Sequence, residues 1–309
     1  MVIIPIITYF IVFFCVLLIG AFAGFFSEKS GTVNIAIDGM MIIGATFYGL
    51  LGQQIQNPSM WMQLFLLPFS ATLTALFAVL HGFITIKLKG NHIISGVAMN
   101  LLAVAISVIF IKIFGVNQQK FNSPVNELTV GADIQNDWTN IISFKLFLTL
   151  AMIVVIYIVF KKSRWGLHFA AVGENPHAAA AAGINVNKIK WIGVLISGFI
   201  AGLAGGIYFQ YATSTFVGNV GGLGFLSLII LIMGRWKTLP IVGAALLFSF
   251  LYSLSINIGT GTGVFEALRD YSNIIYISPY LITLIVLAIS SKRDFAPKFL
   301  GIPYDKSLK

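Results

Sequence analysis

Residues 4–25 read IPIITYFIVFFCVLLIGAFAGF and contain no charged side chain. An α-helix needs about 20 such residues to cross the hydrocarbon core of a bilayer, which is roughly 30 Å thick. Further apolar runs follow at 34–52, 60–86, 93–114, 141–160, 191–211, 222–234, 240–258 and 273–290. The run at 222–234 is too short to cross unaided. The pattern therefore predicts transmembrane helices along most of the chain.

The composition of the chain supports the same fold class. Hydrophobic residues make up 58% of the 309 positions and charged residues 9%, and the mean hydropathy is +0.94. A soluble domain has about 25% charged residues, so this chain lacks the polar groups needed to coat a globule in water. We predict an all-α, polytopic transmembrane helical bundle of about 8–10 spans, some short or broken, formed by one domain over residues 1–309.

Basic residues are concentrated in alternate connections between the runs and in the tail. They are Lys29, Lys87, Lys89, Lys161, Lys162, Arg164, Lys188, Lys190, Arg235, Lys237, Lys292, Arg293, Lys298, Lys306 and Lys309. The other connections carry Glu127, Asp133, Asp137, Glu266 and Asp270. Because Lys and Arg accumulate in cytoplasmic loops, we expect a plasma-membrane protein with its N-terminus outside. The C-terminus, the loop at 161–190 and the tail at 291–309 then lie in the cytoplasm. This distribution also explains the net charge of +9 without nucleic-acid binding.

Glycines recur at two corresponding places in the chain. The first and sixth runs each contain spaced glycines and lead through further glycines into a short run. These residues are Gly20, Gly24 and Gly31, then Gly198, Gly202, Gly205, Gly206, Gly218, Gly221 and Gly222. In the predicted topology the two pairs of segments run in opposite directions, as in transporters built from an inverted repeat. Close contact between helices is the alternative explanation.

The loop at 161–190 contains a short helix with both of its ends marked. Asn175 is a good N-cap and Pro176 suits the first helical position. Alanines fill residues 178–182, and Gly183 can adopt the left-handed conformation that ends a helix. So short a helix is marginal alone in water, so we expect it to be held by packing, with a groove of a partner protein as its natural site. An ordinary capped connector is the alternative.

Five stretches of this chain, taken together, resemble a known family. The loop just described is one, and the others are residues 30–40 (SGTVNIAIDGM), 95–103 (SGVAMNLLA), 224–236 and 296–304. They are similar to motifs of the bacterial ABC-type import permeases for branched-chain amino acids, simple sugars and nucleosides. The tail, with Ala296-Pro297 and Leu300 to Tyr304, is most similar to that of the nucleoside and simple-sugar subgroup. Asp38 stands where the family usually has Glu.

The resemblance implies a permease subunit of an importer that translocates nucleosides, with a simple-sugar permease as the alternative. It also implies a homologous second permease, in a heterodimer, two cytoplasmic ATPase subunits and an extracytoplasmic substrate-binding lipoprotein. ATP and Mg²⁺ would bind to the ATPase, and this chain would carry no cofactor or metal. The contact with the ATPase would be made by Gly173, Glu174, Asn175, Pro176, His177, Ala178, Ala179 and Gly183.

A few polar side chains in the spans are candidates for the substrate path. Asp38 faces the path, or caps a broken helix or pairs with Lys29, or titrates in a proton-coupled carrier, since an intramembrane carboxylate is a functional candidate. Asn34 and Asn100 suit a neutral polar solute, and hydrogen bonds between helices are the alternative. The end of the sixth run offers a stacking and hydrogen-bonding group, formed by Tyr208, Phe209 and Gln210.

Other function classes find little support in the sequence. The chain contains no phosphate-binding loop of the form GxxxxGK[ST], no HExxH and no GxSxG motif, so we do not expect an enzyme. An ion-coupled secondary transporter would suit an inverted repeat. However, the spans contain few ionisable residues, and the capped loop favours a partner protein.

Overall fold

The computed structural model of this chain describes residues 3–56, 59–121, 125, 127–129, 141–212, 216–260, 271, 277–278, 280–282, 284–285, 288 and 295–305. Its helices are α1 (Ile3–Lys29), α2 (Ile37–Gln53), α3 (Gln63–Gly82), α4 (His92–Phe114), α5 (Phe144–Lys162), α6 (Arg164–Glu174), α7 (Pro176–Ala181), α8 (Val186–Tyr211), α9 (Leu223–Met233) and α10 (Thr238–Thr260). A 3₁₀ turn (Met60–Met62) precedes α3, and a π-helical turn (Phe83–Lys87) continues it. The predicted all-α class is confirmed.

Most of the predicted spans correspond to long apolar helices. Among the described residues, six segments can cross a membrane by length and composition: Ile4–Lys29, Met60–Lys87, His92–Phe114, Phe144–Lys162, Val186–Tyr211 and Thr238–Gly259. The predicted spans at 34–52 and 222–234 are the shorter helices α2 and α9. Helix α2 begins at Ile37 because the preceding residues form a turn. In this turn the Asn34 Oδ1 accepts a hydrogen bond from the Ala36 amide. The span predicted at 273–290 lies largely outside the described residues.

Helices α1 and α8 form the centre of the bundle and run antiparallel. Tyr211, at the end of α8, packs edge-on against Tyr9 near the start of α1, with ring centroids 5.8 Å apart. At the other end, Gly193 of α8 lies against Ser30, which follows α1. Both helices are largely buried, whereas α4 and α5 expose most of their apolar side chains. The outer helices thus form the apolar surface expected to face lipid or another membrane chain.

Glycines of α1 pack against α9, the short helix that follows α8. Glycines of α8 pack against α2, the short helix that follows α1. Gly20 of α1 lies against Ser227 of α9, while Gly202 of α8 lies against Gly44 of α2. Because glycine has no side chain, the backbones of such helices can approach closely. The glycines therefore act as close-contact residues. The opposite directions of α1 and α8 agree with the predicted inverted repeat.

The basic connections meet at one end of the bundle. There, α1 and α5 end together, with the rings of Phe25 and Phe160 4.6 Å apart, and Lys190 donates a hydrogen bond to the Ile302 carbonyl at 3.3 Å. The opposite end holds the ion pair between Glu127 and Lys145. The alternation of charge in the sequence therefore corresponds to two different ends of the described structure, which we call the basic end and the opposite end.

The contact of α8 with α3 gives a test of this packing. A Cβ added at Gly202 would lie 2.7 Å from the Cα of Ala71 and 2.6 Å from the hydroxyl of Thr74. Overpacking of this kind costs about 1–3 kcal/mol. We expect Gly202→Ala to lower the melting temperature of the purified protein in detergent by several degrees, measured by a thermal-shift assay.

Gly243→Ala in α10 is the matched control. A Cβ at Gly243 meets no atom within 4 Å, and alanine favours a helix over glycine by about 1 kcal/mol. This variant should melt at the wild-type temperature or slightly above it. Equal losses in both variants would contradict the close contact at Gly202.

Candidate functional site

Asp38 lies where the short helices α2 and α9 meet. Its Oδ1 accepts a hydrogen bond from the Gly224 amide at 2.9 Å, in the first turn of α9. The residue before α9, Gly222, has a φ of +76° and offers no side-chain cap. A carboxylate at a helix N-terminus satisfies an orphan N–H group and interacts favourably with the helix dipole. Asp38, only 7% exposed, therefore caps α9 from a different helix.

This hydrogen bond distinguishes among the structural roles considered for Asp38. Capping of a broken helix is confirmed by it. Pairing with Lys29 is not what the structure shows, because Lys29 lies at the basic end, within electrostatic range of Glu174. Contact of Asp38 with a solute remains a prediction.

Asn100 of α4 caps α2 in the same way that Asp38 caps α9. Its Oδ1 accepts from the Gly39 amide at 2.8 Å, and its Nδ2 donates to the Ile35 carbonyl at 3.0 Å. Gly39 is required here, because a Cβ at this position would lie 2.9 Å from the Cα of Asn100. The two caps form a relay in which α4 holds α2 and α2 holds α9.

Asn34 is buried and already paired with protein atoms. Its Nδ2 donates to the Ser197 hydroxyl at 2.8 Å, and its Oδ1 accepts from the Ala36 amide at 3.1 Å. Hydrogen bonding between helices, the alternative considered for both asparagines, is therefore what the structure shows. It places Asn34 and Asn100 beside Asp38, near the starts of the short helices.

Tyr208, Phe209 and Gln210 lie at the opposite end, away from the two caps. Gln210 donates to the Tyr48 hydroxyl at 2.9 Å and accepts from Gln63 at 2.8 Å. Tyr48 follows Asp38 by ten residues on α2, which is a rise of about 15 Å. Phe209 is fully buried against Tyr48, and Tyr208 is half-buried. The predicted path residues thus form two groups at different depths.

The loop at 161–190 folds as two helices, of which only the second was predicted. Asn175 caps α7 by accepting from the Ala178 amide at 3.0 Å, Pro176 occupies the first turn, and Gly183 has a φ of +83°. These local predictions are confirmed. Helix α6 was missed, although Ser163 provides a recognisable N-cap by accepting from the Gly166 amide at 3.1 Å.

The eight residues predicted to contact the ATPase divide between two faces of the loop. Glu174, Asn175, Ala178 and Gly183 are exposed. Gly173, Pro176 and Ala179 are buried, and His177 packs against the rings of Phe299 and Tyr304 at 6.0 and 5.3 Å. The four exposed residues are therefore the ones that a partner protein could contact directly.

The C-terminal segment 295–305 joins the end of α6 and the start of α7 to the turn between α1 and α2, a connection that sequence reasoning missed. The Phe299 amide donates to the Gly173 carbonyl at 3.0 Å, and the Gly301 amide donates to the Gly31 carbonyl at 3.2 Å. Lys89 and Asp305 add an ion pair at 2.7 Å. The family-like tail motif was visible in the sequence, but nothing in it indicated which surface the tail would cover.

Two further features at the short helices were not predicted. Phe225, in the first turn of α9, is 43% exposed, although it is aromatic and lies beside buried Gly224. At the other end of α9, the Trp236 indole donates to Glu28 of α1 at 2.7 Å. Among the described residues, no three His, Cys, Asp or Glu side chains are grouped as metal ligands.

Short, broken helices inside a membrane bundle are typical of transport proteins. The family model described as the permease component of branched-chain amino acid transport systems matches residues 6–287. This chain belongs to that permease family.

Several relatives match almost the entire chain. The nucleoside ABC transporter permease protein NupC of Lactococcus lactis is 34% identical over 94% of this chain and 93% of its own length. The guanosine ABC transporter permease protein NupQ of Bacillus subtilis is 34% identical over the same shares. A second guanosine permease of Bacillus subtilis, NupP, is 24% identical over 89% of this chain and 77% of its own length. No solved structure matches this chain.

The role of Asp38 can be tested with two substitutions. Asp38→Asn keeps an oxygen that can accept from Gly224, whereas Asp38→Ala removes it, and loss of an N-cap costs about 1 kcal/mol. We expect the melting temperature to fall in the alanine variant and to be largely retained in the asparagine variant. Solute uptake should follow the same order. A stable Asp38→Asn protein without uptake would show that the charge itself is needed for transport, beyond its role as a cap.

Proposed function

We propose that this chain is the membrane-spanning permease subunit of an ATP-binding-cassette importer for nucleosides. The observation that carries the proposal is the match, over nearly the full chain, to NupC and NupQ. The site is compatible with a neutral polar solute, because the polar groups near the short helices are mainly amides and Asp38 is engaged as a cap. The whole chain serves as one permease domain in the plasma membrane.

The proposed complex contains other chains. A homologous second permease would complete the membrane core, as the occurrence of both NupP and NupQ in Bacillus subtilis suggests. A cytoplasmic ATPase would bind ATP and Mg²⁺, and an extracytoplasmic lipoprotein would deliver the solute. In this arrangement the basic end and the C-terminus face the cytoplasm, in keeping with the positive-inside rule, and the N-terminus lies outside.

The exposed side of α7 is the proposed contact with the ATPase. Asn175 and Ala178 face outwards, beside the exposed Glu174 at the end of α6, and the short side chains of Asn175 and Ala178 let another backbone approach closely. The inner side is fixed by the buried Pro176 and Ala179. A two-turn helix held in this way can transmit a push, because its inner face is anchored to the bundle.

Uptake by the assembled complex tests the substrate class. Proteoliposomes are prepared with both permeases and the ATPase, and the binding protein is added outside. They should accumulate labelled guanosine only when ATP is present on the side of the membrane that carries the ATPase. Unlabelled nucleosides should compete, whereas free ribose and glucose should not. Accumulation of a labelled simple sugar, without competition from nucleosides, would replace the nucleoside assignment by the simple-sugar one.

A bulky substitution on α7 tests the coupling contact. Ala178→Trp adds a large side chain on the exposed face, so the chain should fold and insert normally while co-purification of the ATPase and ATP-driven uptake are strongly reduced. Asn187→Trp, at another exposed position of the same end, is the control and should retain both. If Ala178→Trp keeps the ATPase and full uptake, α7 is a connector and not the coupling site.

A further inference from the structure

A basic cavity at the basic end of the bundle has no role in the proposed transport mechanism. It has a volume of about 330 Å³ and lies between the ends of α1 and α5 and the turn from α9 to α10. Lys29, Lys161 and Lys237 line it, together with Phe160, Trp236 and Leu239. Among the described lining residues there is no carboxylate. We call it the basic cavity.

The ammonium groups of the three lysines form no ion pair with a carboxylate among the described residues. In the part of the chain that the structure describes, the ion pairs are Lys89 with Asp305 and Lys145 with Glu127. None of the cavity lysines takes part in them. The Lys161 ammonium donates to the Tyr157 hydroxyl at 2.7 Å, which holds it at the rim without neutralising it.

Two carboxylates lie nearby, and neither lines the cavity. Glu174 is within electrostatic range of Lys29 but is exposed. Glu28 is buried and accepts a hydrogen bond from the Trp236 indole at 2.7 Å, so it lies behind the ring that forms part of the wall. The lining therefore presents ammonium groups and aromatic or aliphatic surfaces to whatever enters.

The cavity continues into the apolar outer surface of the bundle. Along α5, Val154, Ile158 and Lys161 follow each other at helical spacing and so lie on one face. Val154 and Ile158 are about half exposed, as is Leu239 on the other side of the cavity. A ligand with a charged head and an apolar body could place the head among the lysines and the body along this stripe.

We propose that the basic cavity binds the phosphate headgroup of an anionic phospholipid, with the acyl chains lying along α5. Basic pockets between transmembrane helices near the membrane surface are suited to such headgroups. Free inorganic phosphate shares the charge but would gain nothing from the apolar stripe. The proposal is independent of the transported solute, because the cavity lies apart from Asp38 and Asn100.

Native mass spectrometry of the purified importer complex tests the proposal. The delipidated complex is titrated with phosphatidylglycerol or with phosphatidylcholine, with and without millimolar inorganic phosphate. A variant carrying Lys29→Gln, Lys161→Gln and Lys237→Gln is compared with a control carrying Lys87→Gln, Lys162→Gln and Lys188→Gln. The control removes the same charge from exposed positions at the same end.

We expect wild type and control to bind phosphatidylglycerol in preference to phosphatidylcholine, with no displacement by phosphate. The cavity variant should bind it on the order of a hundredfold more weakly, since each of the three lysines near a membrane surface contributes about 1 kcal/mol. Equal affinities in the two triple variants would overturn the proposal, as would equal binding of phosphatidylcholine. Displacement by phosphate would assign the site to the free anion and overturn the lipid assignment.

Two measurements keep the result interpretable. Loss of the ATPase from the cavity variant with unchanged lipid binding would make the basic cavity part of a protein interface, and would also overturn the proposal. If the triple variant does not elute as a folded complex in gel filtration, Lys237→Gln alone replaces it, because Lys237 is exposed in a turn. That single variant should weaken phosphatidylglycerol binding about fivefold, with Lys188→Gln as its control.

Discussion

A bilayer supplies no water to the backbone N–H groups in the first turn of a helix, so a helix that begins inside the membrane must find other acceptors. Helices α2 and α9 both begin in this way, and neither is capped by the side chain of its own N-cap residue. Asn100 supplies the acceptor for Gly39 and Asp38 supplies it for Gly224. Helices α4 and α2 therefore stabilise the starts of the broken helices by providing these groups.

The caps in turn depend on the close packing that the glycines allow. Gly39 and Gly224 bring the amides of α2 and α9 within hydrogen-bond distance of Asn100 and Asp38, where a Cβ would overlap the neighbouring backbone. The central helices contact the short ones through other glycines, such as Gly20 against Ser227 and Gly202 against Gly44. Replacing Gly39 or Gly224 would separate a cap from its helix as well as disturb the packing. Glycine therefore determines the polar geometry of the site in addition to the backbone conformation.

The sequence predicted those parts of the structure that depend on local patterns. Apolar runs and basic connections located most spans and placed the charges at one end, and the cap and stop residues located α7. Partners across the bundle were not predictable, because they depend on which helices meet. Asp38 could be nominated for capping, but its partner Gly224 lies 186 positions away. Likewise, the loop motif and the tail motif were both visible, while their contact through His177 and Tyr304 was not.

That contact gives the proposed coupling a continuous structural route. The exposed side of α7 is backed by the tail, the tail is bonded to Gly31, and the segment after Gly31 leads into Asp38 and its hydrogen bond with α9. Such a route transmits a displacement only if its turns are stiffer than their surroundings. The turn after α1 meets this condition, because the Ser27 hydroxyl bonds to the Thr32 carbonyl at 2.8 Å and the Ser30 hydroxyl bonds to the Ser27 carbonyl at 2.7 Å. Since these buried side chains hold the turn from within, movement of α7 would shift it as a unit. A shift of this turn would displace the N-terminus of α2, where the Asn100 and Asp38 caps lie.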